Sequence, residues 1–543
     1  MFNIIAPKND ENYALFEHYL TKSFSFAVTG LTTLLRLLLI QKIQKITEKK
    51  VLVITSTEQN ALRYQNDLKK AFGVNADLIP FQNISMYESV SPNRYDYAEQ
   101  VRVLTEKPEV VIAPVKALLE KFPKQKFYEE NSVTVKVGDE IDLKKLIQQF
   151  VDLGYKRSTM VSDIGEFSVR GDIIDFFSLD KNAVRIELWG DEIVDIRYFN
   201  NESQKSIEKI KSAKIMPMYK FTLKNGVPDE IKKEDEEGYF EGIEIYQNYF
   251  NTDLASILDY FKDYIIVLDE TSELYSKYEF VDKNFEEQLQ ENLKLGLNID
   301  LKGRNHIPFE DFIQKMAGFV KVGLNNFIDS EMDDIIEFNS QPVQNFGAKL
   351  DDIAGYINSK HDYRIIIATD YPERVKEILN EREIFDVEYN ESLSSAGAIL
   401  EDFKTVILTD RELFNKRTKE VTSSKRSYYK EKPEYIENIN DIKEGEYVVH
   451  SVHGVGVYKG LSQQEIDGQL KDYLTIEYAN KDRLHIPAEQ INQLVRYRGS
   501  GSIKPKLSRM GGKDWENTKT RVKKEVEQVA YDLLRLYAKR KMQ

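Results

Sequence analysis

The chain has 543 residues, of which 41% are hydrophobic and 31% charged, a balance typical of globular proteins with several cores. At roughly 100–200 residues per domain, this length predicts about three to five domains. The absence of cysteine excludes disulfides, zinc–thiolate sites, iron–sulfur clusters and cysteine catalysis. No apolar run is long enough for a transmembrane helix, and the first residues lack the basic segment of a secretory signal. We therefore expect a cytoplasmic protein that does not enter a membrane.

The formal net charge of −14 is unevenly distributed. Residues 501–543 contain 12 basic and 5 acidic side chains, a net of +7, so the preceding 500 residues carry −21. An acidic body repels phosphate and is unlike a general DNA binder. The basic tail predicts either a surface for a partner that the body does not meet or a solvated amphipathic helix.

The first part of the chain has an α/β pattern. Apolar runs at 27–30, 51–55 and 110–114 predict buried strands, and the stretches 33–47 and 58–72 predict helices. Alternation of this kind is typical of a parallel sheet with crossover helices.

Antiparallel strands are predicted next. The segments 132–137, 167–177 and 183–199 alternate apolar and polar residues, with glycine turns between them. A buried run at 264–270 then repeats the parallel-sheet pattern. This order predicts one α/β domain interrupted by an α+β insert.

Three further segments follow. Strands at 364–368 and 405–409, with a helix near 373–382, predict a small α/β unit. After a polar, charged linker, residues 446–495 are rich in strands with closely spaced turns, which indicates a small barrel. A Gly/Ser hinge precedes a final helix with one apolar stripe.

The turn after the first predicted strand is where a phosphate-binding loop, G-x-x-x-x-G-K-[ST], would lie. The second glycine and the lysine are missing here, and leucines stand where phosphate oxygens would bind. We interpret Thr29, Gly30, Thr32 and Thr33 as a degenerate phosphate loop that starts a helix packed into a core. Arg36, about one turn into that helix, offers charge but no cradle.

Other candidate sites are weak. Asp269 and Glu270 end a predicted strand like a Walker B pair, but without a phosphate cradle a capping or structural role fits better. His450 and His453 are close in sequence, yet two histidines without further ligands make a poor metal site. We therefore expect no catalytic residue, no metal site and no cofactor in this chain.

Two blocks, residues 165–177 and 184–199, resemble the domain shared by the excision-repair protein UvrB and the bacterial transcription-repair coupling factor (Mfd) family. The resemblance implies a surface that docks UvrA. By family position, we predict that Arg170, Arg185 and Trp189 contact UvrA, although the family more usually has phenylalanine at the last position. Arginine and tryptophan dominate interface energies, at about 2 kcal/mol or more each when buried centrally. The alternative is that Trp189 is core and both arginines pair with local carboxylates.

Three later stretches, 444–460, 472–478 and 484–487, resemble the RNA-polymerase-interacting domain of the same family, a Tudor-like domain related to CarD. The family adds an edge strand to the polymerase β subunit, so that main-chain hydrogen bonds supply affinity. The residues that we assign to polymerase binding are Tyr473, Leu474, Thr475 and Ile476. The alternative is that this strand is central, with its two apolar residues buried.

The segment from Lys513 to Arg540 resembles the connector to the ATP-driven DNA-translocating motor of the family. The resemblance covers essentially all of this chain but only about the first half of the family's length. ATP, magnesium and most contact with duplex DNA are therefore expected only of that motor, which is not in these 543 residues.

The predicted fold is a multidomain α/β protein: a degenerate P-loop-like parallel-sheet domain with an α+β insert, a small α/β domain, a small Tudor/CarD-like β-barrel and a C-terminal helix. The predicted segments are 1–125 and 216–338 (UvrB-like α/β domain), 126–215 (UvrA-binding insert), 339–417 (small α/β domain), 418–440 (linker), 441–500 (polymerase-interacting barrel) and 501–543 (hinge and basic helix). The resemblance implies a transcription-coupled repair factor that binds stalled RNA polymerase and recruits UvrA. The alternatives are a UvrB-like ATP-dependent damage-processing enzyme and a simple polymerase-binding regulator.

Overall fold

The computed structural model describes residues 2, 4, 10–81, 92–180, 182–201, 203–231, 239–240, 242–250, 253–294, 303–327, 334–415, 442–450, 454–466, 469–487, 494–496 and 507–508. The chain forms two compact units, Met1–Thr422 and Ser423–Gln543. The predicted linker 418–440 lies outside the described residues, as does the helix predicted after the hinge. None of the described helices combines the length and apolar character needed to cross a membrane.

The first 131 residues alternate strands with helices, because short apolar runs are separated by capped amphipathic segments. Thr57 accepts a hydrogen bond from Asn60 N at the start of one helix, and Gly73 ends that helix in the left-handed region. The elements are α1 (Glu11–Thr21), β1 (Phe26–Thr29), α2 (Thr33–Thr47), β2 (Val51–Thr55), α3 (Glu58–Phe72), β3 (Asp77–Leu78), α4 (Arg94–Glu106), β4 (Val110–Pro114), α5 (Val115–Leu118), β5 (Lys121–Pro123) and α6 (Gln125–Asn131).

The insert then forms a six-stranded sheet of order β12-β11-β10-β9-β8-β7, antiparallel except for β7 and β8. Its elements are β6 (Val133–Lys136), α7 (Leu143–Asp152), β7 (Lys156–Arg157), β8 (Glu166–Arg170), β9 (Ile173–Phe176), β10 (Ala183–Trp189), β11 (Glu192–Phe199), β12 (Ser206–Lys209) and β13 (Ser212–Ile215). Helix α7 covers one face, where Phe150 stacks on Phe167 at 4.8 Å between ring centroids. The opposite face carries the charged side chains of the alternating strands.

The chain next returns to the first sheet. The elements of this part are α8 (Gln247–Phe250), β14 (Leu254–Ser256), β15 (Ile265–Asp269), α9 (Thr271–Lys294), α10 (Phe309–Met316), β16 (Lys321–Leu324) and β17 (Ile335–Glu337). The resulting seven-stranded parallel sheet has the order β17-β1-β16-β15-β2-β4-β3. Strands from both sides of the insert therefore share one sheet, and both faces of that sheet are buried by helices.

A second α/β sheet, of order β18-β21-β22-β19-β20, follows. Its elements are β18 (Ser340–Pro342), α11 (Leu350–Ser359), β19 (Arg364–Ala368), α12 (Pro372–Asn380), β20 (Glu388–Asn390), β21 (Ala398–Leu400), β22 (Thr405–Thr409) and α13 (Asp410–Phe414). Leu393, Leu400 and Phe403 join the same hydrophobic cluster as the leucines of α2. This region therefore packs on the parallel-sheet domain through a continuous core.

The second unit contains one antiparallel sheet of order β26-β25-β24-β23-β27. Its strands are β23 (Tyr447–His450), β24 (Gly454–Ile466), β25 (Gln469–Glu477), β26 (Arg483–Pro487) and β27 (Leu494–Arg496). A glycine is required at 456, because a Cβ there would lie 2.6 Å from Ile476 Cγ2. Within the described residues, no pairing joins β26 to β27, so these strands form an open sheet.

Candidate functional site

The turn after β1 is filled by the chain itself. Gly30 has φ +75°, and a Cβ at this position would lie 1.9 Å from the carbonyl oxygen of Phe338. Ser340 Oγ donates a hydrogen bond to the Gly30 oxygen at 2.8 Å and accepts one from Thr32 N at 2.7 Å. Phe338 N also donates to the Thr29 oxygen at 3.0 Å. Of the N–H groups that a phosphate loop would offer to a ligand, Thr32 N thus donates to Ser340, and Gly30 N donates to the Asn326 oxygen at 3.2 Å. Thr33 begins helix α2.

The two carboxylates at the end of β15 are held by a buried cation. Arg36 Nη1 lies 2.7 Å from Asp269 Oδ1, and Arg36 Nη2 donates to Glu270. The Tyr64 hydroxyl donates to the same Asp269 oxygen at 2.7 Å. Burial opposes the charge on Arg36, but Tyr64, Asp269 and Glu270 together raise its pKa above the ordinary value. Arg36 thus pairs with both carboxylates of the Walker B-like pair, which fits a structural role.

The insert presents a charged surface on the side of its sheet opposite α7, which we call the outer face. Its centre is Asp175, whose side chain is 0% exposed. Arg185 Nε donates to Asp175 Oδ1 at 2.7 Å, Arg185 Nη2 donates to Oδ2 at 2.9 Å, and Arg170 Nη2 donates to Oδ2 at 2.5 Å. The Arg185 guanidinium also lies 4.6 Å from the ring centroid of Phe199. Two of the three predicted docking residues are therefore joined by one buried carboxylate.

Trp189 lies at the end of this surface and is 82% exposed. Along β10, Val184, Ile186 and Leu188 are buried, which places Arg185 and Trp189 on the other, outer side of the strand. The alternative stated above is thus half right: both arginines pair with a local carboxylate, but Trp189 is not core. Arg170 keeps 45% of its side chain exposed, whereas Arg185 keeps only 14%.

Sequence reasoning missed Asp175 and Phe199, which hold Arg185 in place. The signal for Asp175 was present, because it is the one charged residue in the apolar run 173–177 and lies opposite Arg185 in register. Phe199 gave no such signal, since its contact with Arg185 depends on the packing of β11 against β10.

The four residues predicted to bind polymerase do not form an edge. β25 lies between β24 and β26, with Leu474 opposite Leu461 on one side and opposite Ile486 on the other. Leu474 and Ile476 are 0% exposed and Thr475 is 7% exposed, while Tyr473 is only partly buried. Assigning an edge strand to Tyr473, Leu474, Thr475 and Ile476 was therefore wrong.

Strand β26 is the longer edge of this sheet in the part of the chain that the structure describes. Arg483 and His485 are exposed, and they alternate with half-buried Leu484 and with Ile486, which is 3% exposed. His485 Nδ1 lies 3.2 Å from Thr475 Oγ1 on the neighbouring strand. Of the two histidines considered as ligands, His450 is buried in β23, and His453 lies outside the described residues.

Comparison with known proteins identifies two regions. Residues 133–221 match the family described as the UvrB interaction domain, and residues 442–498 match the CarD-like/TRCF RID domain. The first range contains the outer face, and the second contains all five strands of the second unit.

Full-length relatives give the same result. The chain is 28% identical over 574 residues to a transcription-repair-coupling factor of Staphylococcus aureus (strain bovine RF122 / ET3-1), and 27% identical over 572 residues to one of Staphylococcus haemolyticus (strain JCSC1435). Each alignment covers 95% of this chain and 49% of the relative. The chain thus spans about half the length of the relatives it matches, and the resemblance seen in the sequence is confirmed.

Proposed function

We propose, from its correspondence to the N-terminal half of the bacterial transcription-repair coupling factor, that this chain is an adaptor that binds stalled RNA polymerase and recruits UvrA. The observation that carries the proposal is the presence of two separate interaction domains in separate compact units. In the complete family member, the ATP-driven motor releases the polymerase from the lesion. We place the protein in the cytoplasm, where both partners act.

The outer face is the proposed UvrA-docking surface. Asp175 fixes the direction of Arg185, and Arg170 and Trp189 remain accessible for contact. Tryptophan and arginine contribute most to binding when an interface buries them, so an exposed tryptophan on the same side of the sheet as oriented arginines favours its use as an anchor. We therefore assign direct contact to Trp189 and Arg170, and a positioning role to Arg185.

The polymerase contact is proposed at β26 in the Tudor-like domain, with the β subunit as partner. A strand added to this edge would gain main-chain hydrogen bonds, and the outward side chains of Arg483 and His485 would supply specificity. Leu474 and Ile476 would support that edge from the core. A charged residue at Leu474 would destabilise the whole sheet and so would not test the contact.

We assign no nucleotide to this chain, and ATP, magnesium and most contact with duplex DNA to the motor. The filled turn at Gly30 and the Arg36 ion pairs support this assignment, because a nucleotide would have to displace both. The same two features argue against a UvrB-like damage-processing enzyme. Measurable ATP hydrolysis by the purified chain would contradict this assignment.

A bridging assay tests the adaptor directly. RNA polymerase is immobilised, and UvrA is passed over it with and without the 543-residue chain. We expect UvrA to be retained only when the chain is present. The Trp189→Ala chain should still bind the immobilised polymerase but should no longer retain UvrA. The double variant Arg483→Glu, His485→Glu should not bind the polymerase, so neither this chain nor UvrA is retained, although it should still bind UvrA in solution. Polymerase binding without UvrA recruitment would instead favour the simple polymerase-binding regulator.

A further inference from the structure

A second cluster of ligating side chains lies far along the chain from either proposed interface. Asp282 and Glu286 are one turn apart on α9, so they share one side of that helix. His306 approaches them from the segment before α10 and is fully buried. One oxygen from each carboxylate and Nε2 of the imidazole lie within 4.8 Å of one another.

The spacing of these atoms fits a small metal ion. His306 Nε2 lies 3.0 Å from Asp282 Oδ1 and 3.2 Å from Glu286 Oε1. Around a tetrahedral zinc ion with bonds of about 2.0–2.1 Å, neighbouring ligand atoms are about 3.3 Å apart. The two distances to His306 are close to that spacing, and all three atoms lie within 4.8 Å of one another.

The neighbouring contacts hold these ligands in place. Asp282 Oδ2 accepts a hydrogen bond from Phe309 N at 3.0 Å, which leaves Oδ1 directed at His306. Glu286 Oε2 accepts one from Arg304 Nη2 at 3.1 Å. Asp282 Oδ1 and Glu286 Oε1 are both buried and accept no hydrogen bond with normal geometry among the described residues. Oriented carboxylates of this kind are typical of a prepared metal site.

We propose that Asp282, Glu286 and His306 bind one divalent transition-metal ion of the zinc class. One imidazole and two carboxylates make a mixed nitrogen and oxygen set that suits Zn²⁺ better than Mg²⁺, which prefers oxygen ligands. Water would complete the coordination. The ion would tie the C-terminal half of α9 to the segment before α10, and so it has a structural role.

Two nearby cations should influence the affinity of the proposed site for a metal ion. Arg304 Nε lies 2.7 Å from Glu286 Oε1, although not aligned for a hydrogen bond, and Lys121 Nζ donates to the Arg304 carbonyl at 2.8 Å. Arg304 therefore competes with a metal ion for Glu286.

The test uses the full chain, freed of any affinity tag and treated with a chelator, titrated with Zn²⁺ alone by calorimetry. We expect one equivalent to bind and the melting temperature to rise, since the ion binds only the folded state. Glu286→Gln and Asp282→Asn should weaken binding by at least about tenfold. The matched control is Glu279→Gln, on the same helix and paired with Lys283, which should leave the affinity unchanged.

A third variant tests the geometry independently of ligand loss. Arg304→Gln should raise the Zn²⁺ affinity because it frees Glu286, and no gain would overturn Glu286 as a ligand. Co²⁺ in place of Zn²⁺ should give the visible absorption of a tetrahedral site in the wild type but not in Asp282→Asn. Absence of binding at micromolar Zn²⁺, or binding that both carboxylate variants leave intact, would overturn the proposal.

Discussion

The sequence relates two regions to repair proteins, the turn after β1 and the outer face of the insert. The two regions differ in how accessible their side chains and backbone groups are to a ligand or partner. At the turn, the carbonyl of Phe338 and the side chain of Ser340 occupy the space and the hydrogen bonds that a phosphate would use. On the outer face, Trp189 is exposed on the same side of the sheet as the ion-paired arginines. The first region is filled by the chain's own groups, and the second leaves a large aromatic side chain in water.

The difference shows that two regions that both resemble those of repair proteins can have different roles in this chain. Where the ligand's place is taken by the chain's own groups, the remaining residues serve stability. Where oriented side chains remain accessible, a partner is the simpler explanation, because arginine and tryptophan contribute most when an interface buries them. Variants at the turn should therefore change folding, and variants on the outer face should change binding.

The largest effect on stability is expected at Arg36. Arg36→Ala leaves Asp269 buried without its cation, which should cost about 3–5 kcal/mol of unfolding free energy. Denaturant unfolding measures this loss. Arg374→Ala, at an exposed position on α12, is the control and should change the stability by less than about 0.5 kcal/mol. Equal values for the two variants would show that the buried pair does not stabilise the fold.

The second-largest loss of stability is expected for Gly30→Ala. The left-handed backbone conformation and the close Phe338 oxygen together should cost about 3 kcal/mol. Gly171→Ala is a matched control, because Gly171 also has positive φ (+59°) but no atom lies within 4 Å of its added Cβ. Thermal unfolding of both variants isolates the contact with Phe338. If Gly30→Ala is no worse than Gly171→Ala, the turn has room that the structure does not show.

Asp175→Asn should destabilise the insert by about 2 kcal/mol, less than a fully buried pair because Arg170 is half exposed. It should also weaken UvrA binding, since Arg185 loses its fixed direction. Asp172→Asn, in the exposed turn beside it, is the control for both measurements. An Asp175→Asn protein with normal UvrA affinity would remove the positioning role from this carboxylate.

Trp189→Ala should have the smallest effect on folding, within about 0.5 kcal/mol, because the side chain is 82% exposed. Chemical denaturation of the wild type and the variant measures the difference. A loss of 2 kcal/mol or more would mean that Trp189 packs in the folded chain and is not available for docking.

Much of the secondary structure could be predicted from the sequence, because local patterns determine it. The predicted helices 33–47 and 58–72 coincide with α2 and α3, and the predicted strands 51–55 and 364–368 coincide with β2 and β19. Continuous apolar runs of five residues identify strands buried on both faces, and capped amphipathic stretches identify helices.

Which elements and side chains lie next to each other in space could not be predicted from local sequence patterns. Whether β25 is an edge depends on β26, which pairs with it only after the chain turns back. The link between Asp282 and His306 spans a segment whose path no local pattern describes. The position of Trp189, in contrast, could be predicted, because strand alternation places its side chain on the same side of β10 as that of Arg185. Only the extent of its exposure required the structure.

The most direct test of the account is the affinity of the 543-residue chain for UvrA, measured for Trp189→Ala and for Phe385→Ala. Phe385 is also a large, exposed aromatic residue (71%) but lies outside the insert. We predict that Trp189→Ala weakens binding by about 2 kcal/mol, roughly 30-fold, while Phe385→Ala binds like the wild type. Equal affinities for the two folded variants would contradict the assignment of UvrA docking to the outer face.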